Sequence, residues 1–135
     1  MQRKILVERR SLKQDVLDVL ARRIGFKGKT VVDIGANIGS HSLYISIIGE
    51  AKMVYAFEPQ PIVRNMLETN VELNNVSNIK VSGSAIGSES SRVRIDKQDP
   101  RFTSSTTFID DPSGDFEINT LDSLKIDCDF FKDRC

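Results

Sequence analysis

The residues most suited to chemistry in this sequence are Asp33, Gly35 and Gly39, set within TVVDIGANIGSHS at 30–42. A carboxylate and two glycines between an apolar run and a helix-forming stretch make a turn that a ligand can approach. The chain reverses tightly, the backbone lies open, and the helix start offers N–H donors. Asp33 can organise the turn and help receive an ammonium group, directly or through water. Gly35 permits backbone approach, and Gly39 permits close packing of the following helix on the strand. Glu58 closes a second apolar run, 23 residues after Gly35. An acid in that register can accept both hydroxyls of a ribose. In SGSAIG (82–87), Ser84 and Ala85 are small enough to border a flat ring, with Ile86 packing on it; a plain tight turn at Gly87 is the alternative. Phe57 and Gln60 flank Glu58 and can border the same ring, although Phe57 equally suits a core.

Other phosphate-binding patterns fit worse. The dinucleotide fingerprint G-x-G-x-x-G, read from Gly35, meets Asn37 and Ser40 where its other glycines belong. The GKT at 28–30 lacks the earlier glycine of a phosphate loop, because Arg23 stands there, and it precedes its strand instead of following it. What remains is D-x-G-x-x-x-G, which demands no pyrophosphate seat and suits a ligand carrying an amino acid beside a nucleoside.

The elements that must hold these residues follow from periodicity. Leu12, Val16, Leu17, Leu20 and Ile24 recur at helical spacing and predict one stripe facing a core, stopped by Gly25 and Gly28. TVVDI reads as a buried parallel strand. SHSLYISIIG reads as a helix capped by Ser40 and stopped by Gly49. KMVYAFEP is a second strand closed by Pro59, and Pro61 suits the first turn of a helix carrying Ile62, Met66 and Val71, with Val63, Leu67 and Leu73 nearby. NIKVSGSAIG is a third strand. This alternation predicts an α/β fold with right-handed crossovers and a mostly parallel sheet. Beyond Gly87, RVRI and FEIN read as short strands. The polar stretch between them is either an antiparallel insertion or a mobile flap. CDFFK is a candidate fourth strand, and an apolar parallel edge there predicts low stability and self-association.

Composition sets the outer bounds. The 135 residues, 39% apolar and 28% charged, suit one soluble domain. Formal charge is zero, so a general nucleic-acid footprint is absent. Residues 1–29 nevertheless hold nine Lys/Arg against three acids, either a solvated helix face or a surface for an anionic partner. No apolar run reaches membrane-spanning length, and the first 30 residues lack the apolar core of a secretory signal. Cys128 and Cys135 have no metal-ligand companions, so free thiols in a reducing cytoplasm and no bound metal are expected. His41 can face a ligand or lie on the first-turn surface. The hydroxyls of TSSTTF (103–108) suit a polar substrate or a solvated loop.

Taken together, VVDIGANIGSHSL, VYAFEPQP, NNVSNIKVSGSAIG and INTLDSL resemble the FkbM family of class I S-adenosylmethionine-dependent methyltransferases, over roughly residues 20–131. The resemblance implies a Rossmann-like sheet with helices on both faces and S-adenosylmethionine across the strand ends. It implies methyl transfer to a small-molecule or glycan acceptor, often a sugar or natural-product hydroxyl. Asp33, Gly35, Ala36, Asn37 and Gly39 would match the methionine-side loop, Glu58 the ribose-binding acid, and Ser84 and Ala85 the adenine edge. Residues 1–29 would form an N-terminal helical segment and 30–135 a partial methyltransferase domain. After TLDSL the family reads F-I-K-I-D-V-E-G, whereas this chain reads DFFKDRC and stops. The substrate-side strands are therefore expected to be missing, and no catalytic base can be assigned. Two alternatives stand beside an active methyltransferase: a cofactor-binding module without turnover, and a nicotinamide-dependent oxidoreductase.

Overall fold

A computed structural model describes residues 12–99 and 102–124. Among the described residues the first element is α1 (Leu12–Arg23), followed by β1 (Thr30–Ile34), α2 (Ser40–Ile47), β2 (Met53–Phe57), α3 (Pro61–Leu73) and β3 (Ile79–Ser82). Strands β1, β2 and β3 form a parallel sheet in that order, with Val32 beside Tyr55 and Val54 beside Ile79. The order follows from two short crossovers of one hand. It brings the carboxyl ends of all three strands, and the loops that follow them, to one edge.

The core explains the order of burial. Val54 and Ala56 on central β2 are fully buried, as is Leu67 of α3, and Leu43, Tyr44 and Ile45 of α2 join them. Helix α1 enters the same core through Leu17. The expected apolar stripes are only partly used. Val16 on α1 and Ile24 just past its end are each 60% exposed, and the helix meets the core along the narrow line of Leu17 and Ala21. Its position is fixed by a polar contact as well, because the Tyr44 hydroxyl donates to the Asp18 carboxylate. On α3 the buried line is Val63 and Leu67, with Val71 packed against the core, while Ile62, Met66 and Leu73 face outward. The i, i+4 spacing of 63, 67 and 71 puts them on one side.

Two sequence expectations change at element ends. Ser40 does not cap α2: Gly39 holds the N-cap position at φ 93°, and no side-chain cap bond forms. The run NIKVSGSAIG is not one strand. It breaks at Gly83, and Ala85–Ile86 (β4) joins a second sheet.

In that second sheet, β5 (Ser91–Asp99) and β6 (Phe102–Asp110) form an antiparallel hairpin, and β7 (Phe116–Asn119) pairs antiparallel with β5 and parallel with β4. The polar stretch is thus an antiparallel insertion. Its TSSTTF segment lies within strand β6, where β-branched threonine is favoured. The hairpin base is tied by an Arg94–Asp111 ion pair at 3.1 Å and by Arg92 Nε donating to the Gly114 carbonyl at 3.0 Å. The segments read as a fourth strand (CDFFK) and as free thiols (Cys128, Cys135) lie outside the described residues. Among the described residues, β1 has a single sheet neighbour, β2.

Candidate functional site

The glycine turn is sewn to the end of β2. Gly35 and Ala36 both donate their N–H to the Phe57 carbonyl at 2.9 Å, and Asn37 N–H donates to Glu58 Oε2 at 3.0 Å. The reversal requires left-handed backbone at Gly35 (φ 72°) and Asn37 (φ 53°), a conformation glycine adopts at no cost and asparagine tolerates. A Cβ added to Gly35 would meet open space, so that glycine serves the turn and leaves room beside it. The N–H groups of residues 35 to 37 are thus all directed at the end of β2 and the adjoining Glu58.

Glu58 is the centre of the arrangement. It is 3% exposed, yet it lines a cavity. Its Oε1 accepts from Gln60 N–H and its Oε2 from Asn37 N–H, both at 3.0 Å. Two backbone donors offset much of the cost of burying a carboxylate. Each oxygen keeps a further lone pair, so the group can receive two more donors. Sequence reasoning found the acid, but the clamp depends on side-chain direction and backbone orientation, which no spacing encodes.

The cavity holds about 320 Å³, at the small end of ligand sites. Gly35, Asn37, Glu58, Ser84 and Ala85 line it, as do Phe57, Gln60 and Ile86. Asp33, Ala36 and Gly39 do not. Asp33 Oδ2 instead accepts a 2.6 Å hydrogen bond from Ser42 Oγ, a fully buried hydroxyl on α2. Asp33 therefore ties the strand to the helix beyond the turn. Ala36 is buried in the core. Gly39 allows close packing, but its neighbour is α3 rather than the strand: a Cβ there would sit 2.4 Å from Leu67 Cδ1. His41 is half-buried and does not line this cavity.

The second sheet supplies walls that motif reading missed: Val93, Phe108 and Ile118 line the cavity together with Ser84 and Ala85, and Ile118 on β7 is the direct strand neighbour of Ala85 on β4. No short motif marks them, since each is one apolar position in a strand. Phe108 is held edge-to-face against Phe116, with centroids 5.5 Å apart. The Ser84 turn is internally satisfied, its N–H donating to Ser82 Oγ at 3.3 Å while Asn119 Nδ2 donates to its hydroxyl at 3.3 Å. A roomier, more open cleft of about 750 Å³ runs along residues 87–92, 110–112 and 117–118. It contains neither the glycine turn nor Glu58. The smaller cavity gathers the convergent polar groups and is the stronger site. Among the described residues, no group of His, Cys, Asp and Glu could hold a metal, and no helix is long and apolar enough to cross a membrane.

The architecture is α/β and Rossmann-like, with a glycine turn and a strand-end acid meeting at the edge where such folds take their ligands. Residues 16–104 match the family described as the TRM5/TYW2 methyltransferase domain, and the chain belongs to that family. The match supports the methyltransferase domain expected from the motifs without extending to the FkbM family, and it ends before INTLDSL, one of the stretches that carried that expectation. Among curated proteins, "Methyltransferase 1" of Beauveria bassiana is 32% identical over 65 residues, covering 48% of this chain and 26% of that protein. Similar solved structures include P. horikoshii TYW2 in complex with MeSAdo, with 31% identity, a TM-score of 0.43, and coverage of 47% of this chain and 24% of that one. M. jannaschii TYW2 in complex with AdoMet has 26% identity and a TM-score of 0.45, with coverage of 53% and 33%. The chain thus spans about a quarter to a third of the length of these relatives.

Proposed function

We propose that this chain binds S-adenosylmethionine in the cavity at Glu58 and serves S-adenosylmethionine-dependent methyl transfer. The observation that carries the reading is the acid clamp. A buried carboxylate, held by Asn37 and Gln60 N–H, presents its remaining lone pairs to a small, largely apolar cavity. Such a group suits the paired hydroxyls of a ribose. Ser84, Ala85 and Ile86 then border the adenine. Gly35 and Asn37 flank the amino-acid end, with Asp33 holding the turn from behind through Ser42. Membership of a methyltransferase family and the AdoMet named for one TYW2 relative support the same donor.

The donor would supply an already activated methyl group on a sulfonium. The protein's share is to orient it and exclude water, since alignment of the reacting groups provides much of the rate. Glu58 would fix the nucleoside, and the β5–β6 hairpin would shield it with Val93 and Phe108. No described residue stands out as a base for the acceptor. The sugar or natural-product hydroxyl implied by the FkbM resemblance draws no support from the family match. Neither does the exclusion of a nucleic-acid acceptor. A cofactor-binding module without turnover shares the same site. The oxidoreductase alternative is disfavoured because Asn37, in left-handed backbone, occupies the place where a dinucleotide turn needs glycine.

Calorimetric titration with S-adenosylhomocysteine and, separately, with NAD tests the reading. Saturable binding of the homocysteine compound with none of NAD is expected. Tight NAD binding without the other would overturn it.

A further inference from the structure

We propose that Arg64 is a positioning residue for Glu58, acting through the main chain of the 58–60 turn, and that Gly83 is the clearance that lets it do so. The role for ligand binding rests on Glu58 being the ribose acid; the positioning itself does not.

Strand β2 ends at Phe57, so the carbonyls of Glu58 and Pro59 lie beyond the sheet ladder. Arg64, on the first turn of α3, sends Nη1 to both, at 3.3 Å from the Glu58 oxygen and 3.4 Å from the Pro59 oxygen. The second contact has a geometric consequence. The Pro59 carbonyl and the Gln60 N–H belong to one planar trans peptide, so they point in opposite directions. Holding that carbonyl toward the guanidinium turns the Gln60 N–H toward Glu58 Oε1, where it donates at 3.0 Å. One cation on the outside of the turn thereby sets the inside of the clamp.

Gly83 fits this role and no backbone requirement explains it. It is not among the glycines with positive φ. A Cβ there would lie 2.3 Å from Arg64 Nη1 and 2.8 Å from Cζ. The glycine at the break between β3 and β4 is the floor on which the guanidinium lies. Substituting alanine would displace the end of a flexible side chain and leave the core untouched.

The test compares Arg64→Ala, Arg64→Lys, Gly83→Ala and the Arg64→Ala/Gly83→Ala double variant, by amide hydrogen exchange and by S-adenosylhomocysteine titration. Arg64→Ala should speed exchange at the Gln60 N–H several-fold while leaving Val54 and Ala56, in the middle of β2, unchanged. It should weaken affinity about 5- to 10-fold, as loss of hydrogen bonds to a charged group does. Gly83→Ala should do the same, Arg64→Lys should recover part of the loss, and the double variant should be no worse than Arg64→Ala alone. Unchanged Gln60 exchange in Arg64→Ala would overturn the proposal, as would full additivity of the two single losses. If the unsubstituted protein does not bind the homocysteine compound, the cofactor reading falls, and the exchange data still decide whether Arg64 orients the turn.

Discussion

Replacing Glu58 separates its two roles, because the structure gives it one in folding and one in binding. In Glu58→Ala, Gln60 N–H and Asn37 N–H each lose an acceptor at 3.0 Å in a site where the acid is 3% exposed. Each buried donor left without this acceptor costs about 1–3 kcal/mol. Removing a buried carboxylate returns several kcal/mol of desolvation in the opposite sense. The net expectation is a loss of about 1–3 kcal/mol, the ordinary range for a broken buried network. Glu58→Gln keeps the shape and one acceptor, but sets an amide donor against a backbone donor, so its loss should fall between wild type and alanine. Urea unfolding reads these differences through the midpoint, provided the slope is unchanged. Binding should fall further than stability. Loss of charged hydrogen bonds to two ribose hydroxyls is worth about 1.5–3 kcal/mol, or roughly 10- to 150-fold in affinity for S-adenosylhomocysteine. A folded Glu58→Ala variant with affinity within about twofold of wild type would exclude Glu58 as the ribose-binding acid.

Three further outcomes follow from other contacts. Gly39→Ala combines left-handed backbone at φ 93° with a Cβ 2.4 Å from the fully buried Leu67, and should cost about 2–4 kcal/mol by chemical denaturation; a loss below about 1 kcal/mol would mean that α3 yields easily. Ser42→Ala removes the 2.6 Å bond to Asp33 and should cost about 1–2 kcal/mol, readable as a shifted urea midpoint. Burial, with a smaller effect of the hydrogen bond to Asp18, pushes the Tyr44 phenol from 10.0 to about 12. Because the folded-state value lies above the unfolded one, this contribution to stability is complete below pH 10 and is lost as pH climbs toward 12. Tyr44→Phe should flatten that alkaline loss in a pH series of unfolding curves.

How much of this was legible in the sequence depends on the kind of signal. The six elements from α1 to β3 were readable because apolar periodicity and glycine or proline punctuation agree along that stretch. Glu58 was readable because its register relative to Gly35 follows from the length of a strand–helix–strand unit. Burial on the helices was less so. Val16 and Ile62 look like core positions, but only a narrow line of each helix meets the sheet, and which line depends on neighbours such as Tyr44 and Leu67. Strand β6 was hidden because TSSTTF is polar, and its threonines form a ladder only once β5 is beside it. The close approach of Gly83 to Arg64 was hidden for a related reason: it depends on where the guanidinium lies in three dimensions. Gly39 was recognised as a packing glycine, while its partner, α3 in place of the strand, required three dimensions.

The central claim is that Glu58 and the glycine turn hold the methyl donor. Amide chemical-shift mapping of the nitrogen-15-labelled chain with S-adenosylhomocysteine tests it most directly. The largest shifts are expected at Asn37, Gln60 and Ser84, with smaller ones at Val93 and Phe108. Shifts confined to the open cleft around Glu89, Arg92 and Asp111, or no shifts at saturating ligand, would contradict it.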